Sequence, residues 1–283
     1  MKLYKTLKGI FISKGDANYL IENHNWDNLI NRDDLYTYLQ FLISSLVPVQ
    51  DDAFAASDLE APIAQQEIWA AGVTYLRSRE ARMEEAKESG GADFYDKVYH
   101  AERPELFFKS TAARCVGTGK SVHIRRDTTW NVPEPELTLF ATSSGKIVGY
   151  TIGNDMSSRD IEGENPLYLP QAKCYDNAAA IGPCLYVPEQ PIDPDTKILM
   201  NIERDGLEVF KGEISINQMK RSHTELIGYL FRETSFVHGV YLMTGTCLVP
   251  PNEFTLREKD IVNISIEEIG TLTNTVSFKN IEL

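Results

Sequence analysis

Two glutamates one residue apart open the segment richest in chemistry, Pro133-Glu134-Pro135-Glu136, and the apolar run from Leu137 to Ala141 follows them. In an extended chain, residues i and i+2 project to the same side. Glu134 and Glu136 would then present two carboxylates from one face at the start of a strand, where proline is tolerated. Like charges so close are costly unless a cation neutralises them, and hard divalent cations such as Mg2+ take oxygen ligands. The pair reads either as part of a metal site or as the solvent-facing acidic start of a strand. A further acid stands where the run Ile147 to Gly153 ends in Asn154-Asp155. Asp155 is a third candidate ligand, although Asn-Asp after a strand is also ordinary turn chemistry.

The elements that must position these groups are mostly strands. A short hairpin is expected around Lys14-Gly15-Asp16, then a helix from about Asp33 to Leu46 with Leu35, Leu39, Leu42, Ile43 and Leu46 at helical spacing. The acidic, alanine-rich stretch Asp51 to Pro62 reads as a linker or loop. It sets a boundary near residue 60, with a small N-terminal α/β domain (1–60) and a strand-rich remainder (61–283). Glu67 to Tyr75 reads as a buried strand, and Arg79 to Ser89 as a charged helix stopped by Gly90-Gly91. Short runs rich in β-branched or aromatic residues follow at 105–109, 121–125, 136–141, 146–153, 197–203, 207–212, 241–246 and 260–268. Asp205-Gly206 between two of them is a hairpin signal. Ser222-His223-Thr224-Glu225 is a capping box ahead of a late amphipathic helix. The expected class is α+β, mostly β. No GxGxxG or P-loop pattern is present.

Over 283 residues the composition is 42% hydrophobic and 24% charged, that of an ordinary globular chain able to bury a core without staples. The formal charge of -13 argues against nucleic acid or an anionic membrane as a main partner. It would also repel an anionic substrate unless a bound cation and a few basic side chains supply a local positive centre. Cys115, Cys174, Cys184 and Cys247 show no CxxC pair or zinc spacing and read as thiols of a reducing cytosol. The N-terminus lacks the apolar run of a signal peptide, and no stretch reaches the roughly 20 apolar residues of a membrane span. A soluble, cytoplasmic protein is expected.

These segments together resemble the fumarylacetoacetate hydrolase family, whose signature is a Glu-x-Glu pair, a strand ending in Asn-Asp-x-Ser-x-Arg-Asp, and a later lysine. The chain has Glu134-x-Glu136, Asn154-Asp155-x-Ser157-x-Arg159-Asp160 and Lys173 in that order, and Thr244-Gly245-Thr246 resembles the family's Thr-Gly-Thr turn at the substrate site. The resemblance covers roughly residues 67 to 283. It implies a β-roll catalytic domain, Mg2+ (or Mn2+ or Ca2+) on Glu134, Glu136 and Asp155, a small 2-keto acid substrate, and a homodimer or higher homo-oligomer.

The hydrolase branch of that family carries a catalytic histidine after a Gly-x-Asn-Tyr motif. Here the matching stretch runs Gly72-Val73-Thr74-Tyr75-Leu76-Arg77-Ser78, with serine at the histidine's place and none of the five histidines nearby in sequence. The stretches 104–109, 128–133 and 162–173 resemble instead the branch that dehydrates 2-keto-3-deoxy-D-arabinonate to 2,5-dioxopentanoate. In that chemistry a metal polarises the 2-keto group, a base takes a proton from carbon 3, and the hydroxyl on carbon 4 leaves, with no activated water.

The resemblance makes Lys173 and Glu105 the candidate base and acid. For Lys173 the alternative is a structural ion pair to Asp155 or Asp176, and for Glu105 a solvated loop carboxylate. Arg159 is a candidate for the substrate carboxylate or a brace for its own loop. Ser78 and Thr246 are candidate hydroxyl contacts, and Cys174 reads as a small buried residue. Competing readings are an acylpyruvate-type hydrolase or oxaloacetate-type decarboxylase on the same scaffold, and a catalytically silent binding protein. Silence fits poorly with the full ligand set plus Lys173.

Overall fold

A computed structural model describes residues 1–50, 53–76 and 92–280. The helix expected over Arg79 to Ser89 and the candidate contact Ser78 lie outside the described residues. The chain begins with the antiparallel strands β1 (Lys2–Thr6), β2 (Gly9–Lys14) and β3 (Ala17–Ile21), and the expected hairpin turns at Gly15-Asp16 with Gly15 at φ 58. Helices α1 (Trp26–Ile30) and α2 (Leu35–Ser44) follow, and α2 buries Leu35 and Leu39 from the expected apolar stripe. Then come β4 (Glu67–Gly72), α3 (Ala92–His100), β5 (Glu105–Thr111), β6 (Cys115–Val116), β7 (Ser121–Ile124) and β8 (Asn131–Val132). The central segment supplies β9 (Pro135–Ala141), β10 (Ile147–Asp155), β11 (Ser157–Ser158), α4 (Arg159–Glu164), α5 (Leu169–Lys173) and β12 (Ala179–Tyr186). The chain continues with β13 (Lys197–Arg204), β14 (Leu207–Ser215), α6 (His223–Leu230), β15 (Val240–Met243), β16 (Ile261–Ile266) and β17 (Gly270–Phe278). The protein is mostly β.

Among the described residues the strands form two large open sheets and a two-stranded ribbon of β8 and β11. The larger sheet has ten strands, ordered β3-β2-β1-β12-β10-β9-β15-β4-β5, with β6 beside β12. The smaller is ordered β14-β13-β16-β17-β7. Local signals account for its hairpin and for the late helix. Asp205 and Gly206 both take positive φ (52 and 77), the pattern of a tight two-residue turn. The Ser222 side chain accepts the Glu225 amide at the start of α6.

Both faces of the larger sheet are covered. Leu137, Leu139 and Ile152 point into one apolar cluster with Met200, Ile202, Val262, Ile264 and Leu272 of the smaller sheet. On the opposite face Phe140, Ala179, Ile181 and Tyr241 pack with Ile12, Trp26, Ile30, Leu35 and Leu39. Every residue of β9 is therefore buried, the polar Glu136 and Thr138 as well as the apolar Leu137, Leu139, Phe140 and Ala141. The compositional boundary near residue 60 falls between α2 and β4. Across it, β1 hydrogen-bonds to β12 with Leu3 opposite Leu185, so the N-terminal segment adds strands to the same sheet.

Strands β12 and β17 lie outside the runs expected from the sequence. In β12 the pairing with β10 is irregular next to Gly182-Pro183, where a proline cannot donate to the ladder. In β17 polar residues interrupt the buried Leu272, Asn274 and Val276. The first buried strand is shorter than expected, because β4 ends at Gly72 and Val73 turns to φ 53. Among the described residues, no helix is long and apolar enough to cross a membrane.

Candidate metal centre and active site

Two adjacent strand ends build the centre. Glu134 precedes β9, Glu136 lies within it, and Asp155 ends β10. In the β9–β10 ladder Glu136 faces Gly153 and Pro135 faces Asn154, which brings Asp155 beside the glutamate pair. One oxygen from each of the three carboxylates falls within 4.8 Å of the others. All three side chains are buried, at 3%, 1% and 1% exposure, so the solvent-facing alternative for the glutamates does not describe this fold.

Buried cations surround the triad. Lys173, the last residue of α5, is fully buried; its Nζ donates to Glu134 Oε2 at 2.6 Å, to Asp155 Oδ2 at 3.1 Å and to Ser157 Oγ. Of the two structural partners weighed for it, Asp155 is present, whereas Asp176 pairs with Lys279 at 2.6 Å. Arg159 Nη2 donates to Glu134 Oε1 at 2.7 Å, and its Nε lies 3.9 Å from Glu162 Oε2. The guanidinium thus braces a candidate ligand, and Arg159 also lines the cavity in front of the triad. Lys109 of β5 approaches Asp155 Oδ1 from behind.

Four buried carboxylates (Glu134, Glu136, Asp155 and Glu162) face the three buried cations Lys109, Lys173 and Arg159. Burial first, then the neighbouring Asp155 and Glu134 charges, push the Glu136 carboxyl well above the usual carboxylate range; the Gly245 amide and Lys173 oppose the shift. Burial lowers the Lys109 ammonium, opposed by Asp155. A dry cluster of oxygen donors with surplus negative charge suits a hard divalent cation, and the buried triad can bind a metal.

The remaining candidates fall at different depths. Thr246 lines the same cavity, and its hydroxyl accepts the Leu248 amide at 3.2 Å. Glu105 is half-buried, with its carboxylate at Gly72, a cavity-lining residue. All five histidines lie away from the cavity wall formed by the described residues. Sequence reasoning assigned no role to Lys109 or Glu162. A signal existed for each. By period two the sequence puts Lys109 on the face of Glu105 and Phe107, although the β4–β5 register shifts at Lys109 itself, and Glu162 stands three residues after Arg159, on the same side of α4.

Residues 67–277 match Fumarylacetoacetate (FAA) hydrolase C-terminal. The chain belongs to the fumarylacetoacetate hydrolase family. The matched span begins at β4 and takes in the triad, Lys173 and the Thr244-Gly245-Thr246 turn.

Among relatives in this family, the chain is 49% identical over 230 residues to a "Probable 2-keto-3-deoxyxylonate dehydratase" of Haloferax volcanii, covering 81% of this chain and 78% of that protein. It is 44% identical over 217 residues to a "2-dehydro-3-deoxy-D-arabinonate dehydratase" of Saccharolobus solfataricus, covering 76% and 73%. Among solved structures it is similar to 2-keto-3-deoxy-D-arabinonate dehydratase complexed with magnesium and 2,5-dioxopentanoate, with a TM-score of 0.82 and 34% identity over 99% of this chain and all of that one. A hexagonal crystal form of 2-keto-3-deoxyarabinonate dehydratase gives a TM-score of 0.85 at 33% identity. These relatives are named as dehydratases, which are hydro-lyases.

Proposed function

We propose that this family member removes water from a 2-keto-3-deoxy sugar acid, with 2-keto-3-deoxy-D-arabinonate as substrate and 2,5-dioxopentanoate as product. The observation that carries the reading is the buried Lys173, hydrogen-bonded to Glu134 and Asp155 at a cavity whose described wall holds no histidine. Elimination needs a proton acceptor beside the substrate, and an amine can serve; hydrolysis needs a group that activates water. The relatives named as dehydratases support the same chemistry.

Glu134, Glu136 and Asp155 would hold the cation, Mg2+ first and Mn2+ or Ca2+ as alternatives. When bound, it supplies the Lewis acidity that makes hydrogens beside a 2-keto group easier to remove. Lys173 takes a proton from carbon 3, and Glu105, at the rim formed by Gly72, protonates the carbon-4 hydroxyl as it leaves as water. Tautomerisation of the unsaturated product then gives the aldehyde. Arg159 and Thr246, and Ser78 beyond the described residues, are the proposed contacts to the substrate's carboxylate and hydroxyls.

The four cysteines, none of them in a disulfide, support a cytoplasmic setting, and the family resemblance supports a homodimer or larger homo-oligomer, to be checked by light scattering.

The test is turnover of 2-keto-3-deoxy-D-arabinonate in deuterated water, alongside acylpyruvates and oxaloacetate. The aldehyde product should carry solvent deuterium at carbon 4, where tautomerisation protonates. Robust acylpyruvate cleavage with no turnover of any 2-keto-3-deoxy sugar acid would overturn the proposal.

A further inference from the structure

We propose that Lys109 is a positioning residue that locks the carboxylate of Asp155 and the backbone of Lys173 into one arrangement. Its kinetic consequence rests on the dehydratase reading above; its effect on metal binding does not.

The side chain is 1% exposed and is not among the residues that line the cavity. An ammonium has three protons to donate; this one donates to the Met156 carbonyl at 2.9 Å and to the Lys173 carbonyl at 2.6 Å, and it forms an ion pair with Asp155 Oδ1. The Met156 carbonyl belongs to the residue after the candidate ligand, and the Lys173 carbonyl to the candidate base itself. One buried nitrogen on β5 therefore ties the end of β10 to the end of α5.

The same device recurs at each carboxylate of the triad. Arg159 holds Glu134 through Oε1, the Gly245 amide donates to Glu136 Oε2 at 2.6 Å, and Lys109 holds Asp155 through Oδ1. Fixing one oxygen of a planar carboxylate fixes the direction of the other. Glu134 Oε2 and Asp155 Oδ2, the other oxygens of these two carboxylates, are the two that Lys173 contacts. Without Lys109, Asp155 can rotate, and its remaining lysine partner, Lys173, would draw it away from an incoming metal.

A second role, simple charge neutralisation, makes the opposite prediction. A cation that only compensates charge repels a metal, so its removal tightens metal binding; a cation that orients a ligand weakens binding when removed.

The experiment is Lys109→Met in the full chain, with Mg2+ alone titrated by calorimetry and kcat and KM measured at saturating Mg2+. Mg2+ binding should weaken by roughly 10–100-fold, the usual cost of losing a group that orients a metal ligand, and kcat should fall more than KM rises. Unchanged or tighter Mg2+ binding would overturn the proposal. If the parent protein turns over no 2-keto-3-deoxy sugar acid, the dehydratase reading fails while the calorimetry still decides the role of Lys109. Should the variant not fold, the crystal structure of the parent with Mg2+ serves instead. Lys109 Nζ should remain bonded to Asp155 Oδ1 and to the Lys173 carbonyl, and a side chain swung away from either refutes the lock.

Discussion

Glu105 and Gly72 stand opposite each other in the β4–β5 ladder, and the Glu105 carboxylate lies across the Cα of Gly72. A Cβ at position 72 would come within 2.1 Å of Glu105 Oε2 and 2.5 Å of its Cδ, and the third close atom belongs to the same side chain. Relief therefore comes from swinging one flexible side chain, with the backbone left in place.

Gly72→Ala should accordingly fold with a melting temperature close to the parent's, and displace Glu105 from the cavity rim. If Glu105 donates the proton to the leaving hydroxyl, kcat should fall about as far as in Glu105→Gln, roughly 10²–10⁴-fold. Shortening the acid in Gly72→Ala/Glu105→Asp should recover part of the loss. Full activity in Gly72→Ala would show that the carboxylate is not needed at that spot.

Lys173→Met should lower kcat by roughly 10²–10⁴-fold, the range for removing a general acid or base. Mg2+ affinity should be no weaker than the parent's, because the Lys173 ammonium occupies Glu134 Oε2 and Asp155 Oδ2, two oxygens that a metal would use. Calorimetry with Mg2+ is the check, and clearly weaker binding would make Lys173 part of the metal site's support instead. The contrast with Lys109→Met is direct, since the two buried lysines should move metal affinity in different ways.

Glu136→Gln separates metal binding from folding. Glu136 is crowded by the Asp155 and Glu134 charges in a buried site, so removing its charge relieves repulsion in the metal-free protein. In EDTA the variant should melt no lower than the parent. Addition of Mg2+ should stabilise the parent, by about 2.7 kcal/mol at a hundredfold excess over Kd, and leave the variant nearly unmoved. Equal Mg2+ stabilisation of both proteins would remove Glu136 from the ligand set.

We propose residue 60 as the division between a supporting N-terminal unit and the catalytic domain. The triad, Lys109 and Lys173 all lie beyond it. A chain of residues 61–283 should keep Mg2+ binding measurable by calorimetry, at reduced thermal stability, because Phe140, Ala179 and Tyr241 lose the cover of Ile12, Trp26 and Leu39. Failure of this fragment to fold would show that the two segments form one inseparable core.

The sequence by itself determined what is local. Side-chain direction along a strand repeats every two residues, so Glu134 and Glu136 were legible as a same-face pair from the spacing alone. The Asp205-Gly206 turn and the Ser222 cap depend on backbone preferences of a few neighbouring residues and were legible for the same reason. Tertiary structure alone decided the partners. Lys109 reaches carbonyls 47 and 64 residues away, and Glu105 meets Gly72, because β5 and β4 lie side by side and the ends of β10 and α5 fold back beside β5. Strand order and register set those contacts. A single run of residues carries the direction of each side chain but not the identity of the strand that will lie next to it, so Lys109 read as an ordinary strand lysine until the sheet placed Asp155 in front of it.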